Sequence, residues 1–259
     1  MTTVRFLSRP AILRAKSAGE AWLVLLVLCC LSSSLAAQQP ARHWLHAGVM
    51  PPGAIGAQRM LRNGPLSLYP QPAYVQPTLL LAGDAADDTQ LEPATPSISV
   101  ASGDGFSEEH YGQLLVGLQV GRPYRFRVSG VPFYEDVEIY PTVELIDRLH
   151  PPPGKATAFP VPIELTTREL QMAARGAFIT RVIYVEDPRQ ALPVEQKRGE
   201  SWIEVPPDQD PLLAADELGR PIAILRIGAR GPSSTGPSSR FTFGDPPVQF
   251  FDQGLRLEH

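Results

Sequence analysis

His43 and His46 flank Trp44-Leu45 and are the only imidazoles that fall close together along the chain. A metal ion would need further nitrogen, oxygen or sulfur ligands at related spacing. None follows, so the pair is a weak metal candidate in what otherwise reads as a solvated arm docked by Trp44. Asp104, Glu108, Glu109 and His110 gather acceptors near Gly103 and Gly105, and calcium takes oxygen ligands from loops. The spacing fails the D-x-[DN]-x-[DN]-G pattern, as does Asp208-Gln209-Asp210. G-x-S-x-G and H-E-x-x-H are absent, and so are a glycine-rich phosphate loop and a dinucleotide fingerprint. Carboxylates pair at Glu135 with Asp136 and at Glu138 with Glu144. Acid-base work needs them buried and convergent, whereas neighbours along an exposed strand face are ordinarily solvated. Arg125, Arg127, Arg148, Arg168, Arg181 and Arg189 accompany Glu138, Glu144, Glu164 and Glu186. They pair across strands or form a patch for an anionic ligand. Arg127, Glu138 and Tyr140 are the candidate ligand or partner surface, again weakly specified. No catalytic residue and no cofactor are expected.

The elements that would position these residues are short. Residues 111–190 carry strand signals at regular spacing, with turn residues between them. In residues 124–128, Tyr124, Phe126 and Val128 face one way while Arg125 and Arg127 face the other, the mark of a half-buried strand. Residues 114–120, 136–147, 159–165 and 178–185 read likewise, with Pro141 demanding an edge or a bulge. Thr166-Thr167-Arg168-Glu169 has the spacing of a capping box, so a short helix over 167–175 should follow and stop at Gly176. Residues 201–205 form a possible strand, 212–218 a short helix, and 221–227 a central or closing strand.

The 28 prolines are roughly double the ordinary share and argue against long helices. The fold class expected is all-β, an antiparallel β-sandwich of immunoglobulin-like Greek-key type, with one short crossing helix and extended Pro-rich arms. The organisation expected is a signal peptide over 1–37, an extended Pro/Gly-rich arm with short strands over 38–107, the sandwich over 108–230, and a flexible linker and tail over 231–259.

The leader rests on three zones. Arg5, Arg9, Arg14 and Lys16 precede the apolar run of residues 21–31, and small polar residues follow to Ala37. About 11 apolar residues fall well short of the roughly 20 of a membrane helix, so cleavage near Ala37 or Gln38 is expected and no permanent transmembrane anchor. Leu28 before Cys29 lacks the small residue a lipidation site needs. Cys29 and Cys30 are the only cysteines, so a processed chain has no disulfide and no thiolate chemistry. Cleavage removes four cations and one acid, leaving 19 Lys and Arg against 26 Asp and Glu, a net charge near −7. Nucleic acid is an unfavourable partner for such a surface.

The strings VGLQVGRPYRFRVSGVPFYEDVEIYPTVELIDRLHPPPG, FPVPIELTTRELQMAARGAFITRVIYVEDPRQALP and DPLLAADELGRPIAILRIGAR, with HAGVMPPGAIG before them, resemble an uncharacterised exported bacterial protein family of planctomycete type. The resemblance spans about residues 43 to 230. It implies an envelope location and, since that family has no assigned activity, no residue role. The expectation is therefore a non-catalytic protein of the periplasm or cell surface, whose sandwich binds an envelope protein or polysaccharide. The alternatives are a small-ligand or metal-binding exported protein and a hydrolase with an acidic cleft.

Overall fold

A computed structural model describes residues 47–63, 70–78, 96–103, 105–187, 203–206 and 208–251. All of them belong to the unit Leu45–His259. The described chain is mostly β, folded as two sheets rich in antiparallel pairs. Its elements are α1 (Ala54–Asn63), β1 (Gln71–Thr78), β2 (Ser97–Ser102), β3 (Gly105–Phe106), β4 (His110–Tyr111), β5 (Leu114–Leu118), β6 (Pro123–Ser129), β7 (Thr142–Leu145), β8 (Val161–Thr166), α2 (Thr167–Ala174), β9 (Ile179–Glu186), α3 (Pro211–Leu218), β10 (Gly219–Ile227) and β11 (Gln249–Phe250). The smaller sheet runs β11-β5-β1-β8 and the larger β3-β2-β6-β7-β10-β9, with β4 also on β2.

Period-two alternation decides which side chains meet between the sheets. Tyr124, Phe126 and Val128 of β6 are fully buried, while Arg125 and Arg127 turn to the outer face. Val75, Val116 and Ile163 from the smaller sheet join Phe126, Val143 and Leu225 from the larger in one continuous apolar core.

Three features differ from the expected antiparallel sandwich with arms. The β1–β8 pair is parallel, although every other pair is antiparallel. The short strands expected in the 38–107 arm are present as β1 and β2 and join the sheets, but β1 is interior to its sheet despite Pro72 and Pro77. Their positions explain the tolerance. Pro72 precedes the first β8 pair, Ala73 with Val161, and Pro77 follows the last β5 pair, Val75 with Leu114, so each faces a single partner strand. Residues 241–251 are also docked rather than part of a free tail. Phe241 O accepts from Arg125 Nε at 3.2 Å, Pro247 O accepts from Tyr124 Oη at 3.1 Å, and β11 pairs with β5.

The capping box forms as read. Thr166 Oγ1 accepts from Glu169 N at 3.3 Å and Glu169 Oε2 from Thr166 N at 3.1 Å, and α2 stops at Gly176 with φ +94°. Residues 203–206 carry no strand, and Ser201 and Trp202 lie outside the described residues. Pro141 sits beside β7, inside the larger sheet, and its carbonyl accepts from Phe126 N at 2.8 Å. The strand expected over 136–147 is there divided into the Val128–Ile139 bridge and β7.

Glu144, expected on a solvated face, is fully buried, and so is its partner Arg226. Arg226 Nη1 lies 3.1 Å from Glu144 Oε2. The same carboxylate accepts from Gly53 N at 2.9 Å and Gly56 N at 2.7 Å, at the start of α1. A negative group there meets unpaired amides and the favourable end of the helix dipole. Arg226 Nε and Nη2 donate to the carbonyls of Ala47 and Met50. The segment 47–56 is thus strapped over the outer face of the larger sheet, closing a second core of Ala47, Ile55, Ile146, Leu212 and Ile224. Asp210 caps α3 by accepting from Leu212 N and also accepts from Ala47 N.

Two glycines permit this approach. A Cβ on Gly56 would fall 2.5 Å from Gly121 Cα, and one on Gly121, where φ is +86°, would fall 2.4 Å from Met60 Sδ. Arg226→Met should cost about 3–5 kcal/mol by leaving a buried carboxylate without its cation. Urea unfolding checks this, and a loss under about 1 kcal/mol, the range of an exposed pair, contradicts the strap. Gly121→Ala should cost more than about 1 kcal/mol and expose the 47–63 segment to limited proteolysis, whereas Gly103→Ala, with open space around its Cβ position, should leave that segment protected.

Candidate functional site

The outer face of the larger sheet is partitioned by what lies on it. The 47–56 strap and α3 cover the end around Glu144, Arg226, Ile224 and Val182. The 241–243 turn covers a second region, where Arg125 stacks between Phe241 and Phe243 at 4.6 and 4.8 Å from the ring centroids. Arg125 Nη1 donates to Tyr140 O at 3.0 Å and Thr142 Oγ1 at 2.7 Å. Burial pushes its guanidinium down to about 10, which leaves it charged at neutral pH.

The remaining area is polar and centres on Arg127. Cross-strand partners share a face, so the pairs Ser97 with Tyr111, Ser97 with Ser129 and Ser99 with Arg127 set these residues side by side. Arg127 Nε donates to Ser99 Oγ at 3.2 Å and Nη2 to Glu109 Oε1 at 3.2 Å, while Nη1 lies 3.7 Å from Glu138 Oε1. Ser97 Oγ donates to Glu109 Oε2 at 3.0 Å, and Tyr140 Oη donates to Glu138 Oε2. Phe106 lies under the Arg127 guanidinium at 5.2 Å and beside Tyr140 at 5.9 Å.

Burial, then the hydrogen bond to Glu138, then the charge of Glu138 raise the Tyr140 phenol far above its ordinary value, with Arg127 opposing. The phenol therefore stays a donor that orients Glu138. Arg127 is part-buried and Glu138 and Glu109 are exposed, so these ion pairs are worth little in stability. Their effect is to fix the direction of exposed acceptors and donors beside Tyr111, which is 71% exposed.

The structure brings together the three surface candidates read from the sequence, Arg127, Glu138 and Tyr140. It adds Glu109, Ser97, Ser99, Phe106 and Tyr111. The added residues come from β2, β3 and β4 and the loop between β3 and β4, and no local pattern announces their register against β6. The one earlier sign was the cluster that contains Glu109. His43 and His46 lie outside the described residues, and so does Asp104. His110 turns away from Tyr111 and stacks on Phe250 at 6.3 Å. Among the described residues no three His, Cys, Asp or Glu side chains converge as metal ligands, and no helix is long and apolar enough to cross a membrane.

Carboxylate acceptors, guanidinium donors and an exposed aromatic face suit a hydroxyl-rich ligand with an apolar ring face. No protein-family model matches the chain, and no curated protein or solved structure matches it either.

The contribution of Tyr140 to stability should be level from pH 8 to about pH 10, the ordinary tyrosine value, and fall above it. The raised phenol of Tyr140 contributes fully below that value, and the contribution is lost as pH climbs towards the folded-state value. Urea unfolding of Tyr140→Phe against wild type between pH 8 and 11 checks this. An unchanged alkaline slope contradicts it.

Proposed function

We propose that this chain is a non-catalytic protein of the cell envelope, exported behind residues 1–37 and active in the periplasm or at the cell surface, which binds an envelope polysaccharide on the Arg127 patch. One observation carries the reading. Among the described residues, non-strand segments cover the Glu144 and Arg125 parts of the outer face, and none covers the polar neighbourhood of Arg127 beside Tyr111. A sugar chain fits that chemistry. Its hydroxyls bond to Glu109 and Glu138, an acidic substituent or ring oxygen meets Arg127 by displacing the longer Glu138 contact, and an apolar sugar face lies on Tyr111. The leader pattern, the acidic charge of the processed chain and the likeness to the exported family of planctomycete type support the location. A protein partner is the other occupant of the same face.

The finer description of the fold, an immunoglobulin-like Greek key, belongs with this proposal. Changes of sheet between β1 and β2 and between β5 and β6 support it, and the parallel β1–β8 pair departs from it. An experimental strand order tests it.

Recovery of the protein from a membrane-free envelope fraction, with an amino terminus near Ala37 or Gln38 by mass spectrometry, checks export. Cosedimentation with purified cell-wall polysaccharide checks binding. Tyr111→Ala and Arg127→Ala should each weaken it about tenfold, the loss of roughly 1.4 kcal/mol, with the far-ultraviolet circular dichroism unchanged. Binding indifferent to both substitutions, or absent with every envelope polysaccharide, removes this reading.

A further inference from the structure

A second surface, built from other residues, carries an inference of its own. Phe133 is 84% exposed at the apex of a tight turn and holds φ +68°, a conformation that is an outlier for a bulky side chain. Such strain persists only where the surroundings enforce it, and here they do. Val131 bridges Tyr134, with Tyr134 N donating to Val131 O at 2.8 Å. Phe133 N donates to Glu135 Oε1 at 3.1 Å, and Gln171 Nε2 of α2 donates to Pro132 O at 3.2 Å. The turn is thereby fastened to α2 while its aromatic ring stays in water.

Arg168 and Met172 on α2 and Arg175, which caps its end, fall at i, i+4 and i+7 and form one exposed stripe. Arg175 stacks over Tyr134 at 5.9 Å, which sets the stripe against the turn. Phe178, two residues past the Gly176 stop, is 65% exposed. Met172 thus stands between two cations on the helix side, and Phe133 stands with Glu135 and Asp136 on the neighbouring turn. Among the described residues Arg168, Arg175 and Asp136 make no ion pair.

We infer that this surface binds a second copy of the same chain. A turn that carries an apolar side chain with acids, fastened beside a helix that carries an apolar side chain with cations, complements its own copy under a two-fold axis, whereas a patch of one sign would repel its own copy. In that arrangement Phe133 of each copy packs on Met172 of the other, and Glu135 and Asp136 face Arg168 and Arg175. The surface is small, so the dimer belongs with interfaces under about 1,200 Å², which are transient and concentration-dependent.

Sedimentation equilibrium on the full chain, expressed with its own leader and purified from the fraction in which it accumulates, tests the inference. Wild type should pass from monomer to dimer between micromolar and submillimolar concentration. Phe133→Gly, which suits the left-handed backbone, should raise the melting temperature while weakening the dimer at least tenfold. The charge-reversed pairs Glu135→Arg with Asp136→Arg, and Arg168→Glu with Arg175→Glu, should each be monomeric alone and form a dimer when mixed. A wild type that stays monomeric throughout, a dimer insensitive to Phe133→Gly, or mixed variants that stay apart each overturns it. None of these substitutions touches Tyr111 or Arg127, so polysaccharide binding reports separately.

Discussion

A carboxylate taken out of water is costly unless a cation and hydrogen-bond donors replace its hydration. Glu144 meets that requirement with Arg226 and with the amides of Gly53 and Gly56, and the requirement organises this side of the molecule. Two of the donors come from a helix start, so α1 begins where the carboxylate is. The guanidinium has further donors to satisfy, so the carbonyls of Ala47 and Met50 are drawn in. The apolar residues carried along, Ala47 and Ile55, then cover Ile146 and Ile224. A buried ion pair alone is weak evidence of stability. Its weight here comes from what it positions, a second hydrophobic layer over β7 and β10.

The same logic divides the outer face into closed and open parts. Where a cation is stacked between two phenylalanines and bonded to carbonyls, as Arg125 is, no room is left for a ligand. Where the cation is shared between two exposed carboxylates, as Arg127 is, its contacts can be exchanged for those of a visitor at little net loss. The contrast lies in the neighbours, since the two arginines occupy equivalent outward positions two residues apart on β6.

Local patterns made much of this legible. The alternation in β6, the Thr166 to Glu169 capping box and the Gly176 stop are decided by residues within a few positions of one another, and they appear as read. Arg127, Glu138 and Tyr140 emerged because they are polar side chains on the outward positions of consecutive extended segments. What the sequence hid was decided at long range. α1 has no Ser, Thr, Asp or Asn cap before it, because its cap is Glu144, 88 positions from Gly56. Gly56 lowers its apparent helix propensity, though that glycine is needed for contact with Gly121. Glu144 looked like any exposed strand carboxylate until Arg226, 82 positions away, was placed beside it. Tyr111, Ser99 and Glu109 joined the site only through the register of β2 with β4 and β6, which no short-range signal sets.

The position of β1 has a kinetic consequence. It lies between β5 and β8, so the interior of the smaller sheet stays incomplete until the ribosome has passed residue 166. The second core waits longer still, since Ala47 finds its guanidinium only 179 residues downstream. A chain whose earliest segments are completed by its latest has high contact order, and loop-closure entropy must be met before those contacts are rewarded. Refolding from denaturant should accordingly belong to the slow regime of non-local β proteins, and the growing polypeptide remains threadable for most of its synthesis.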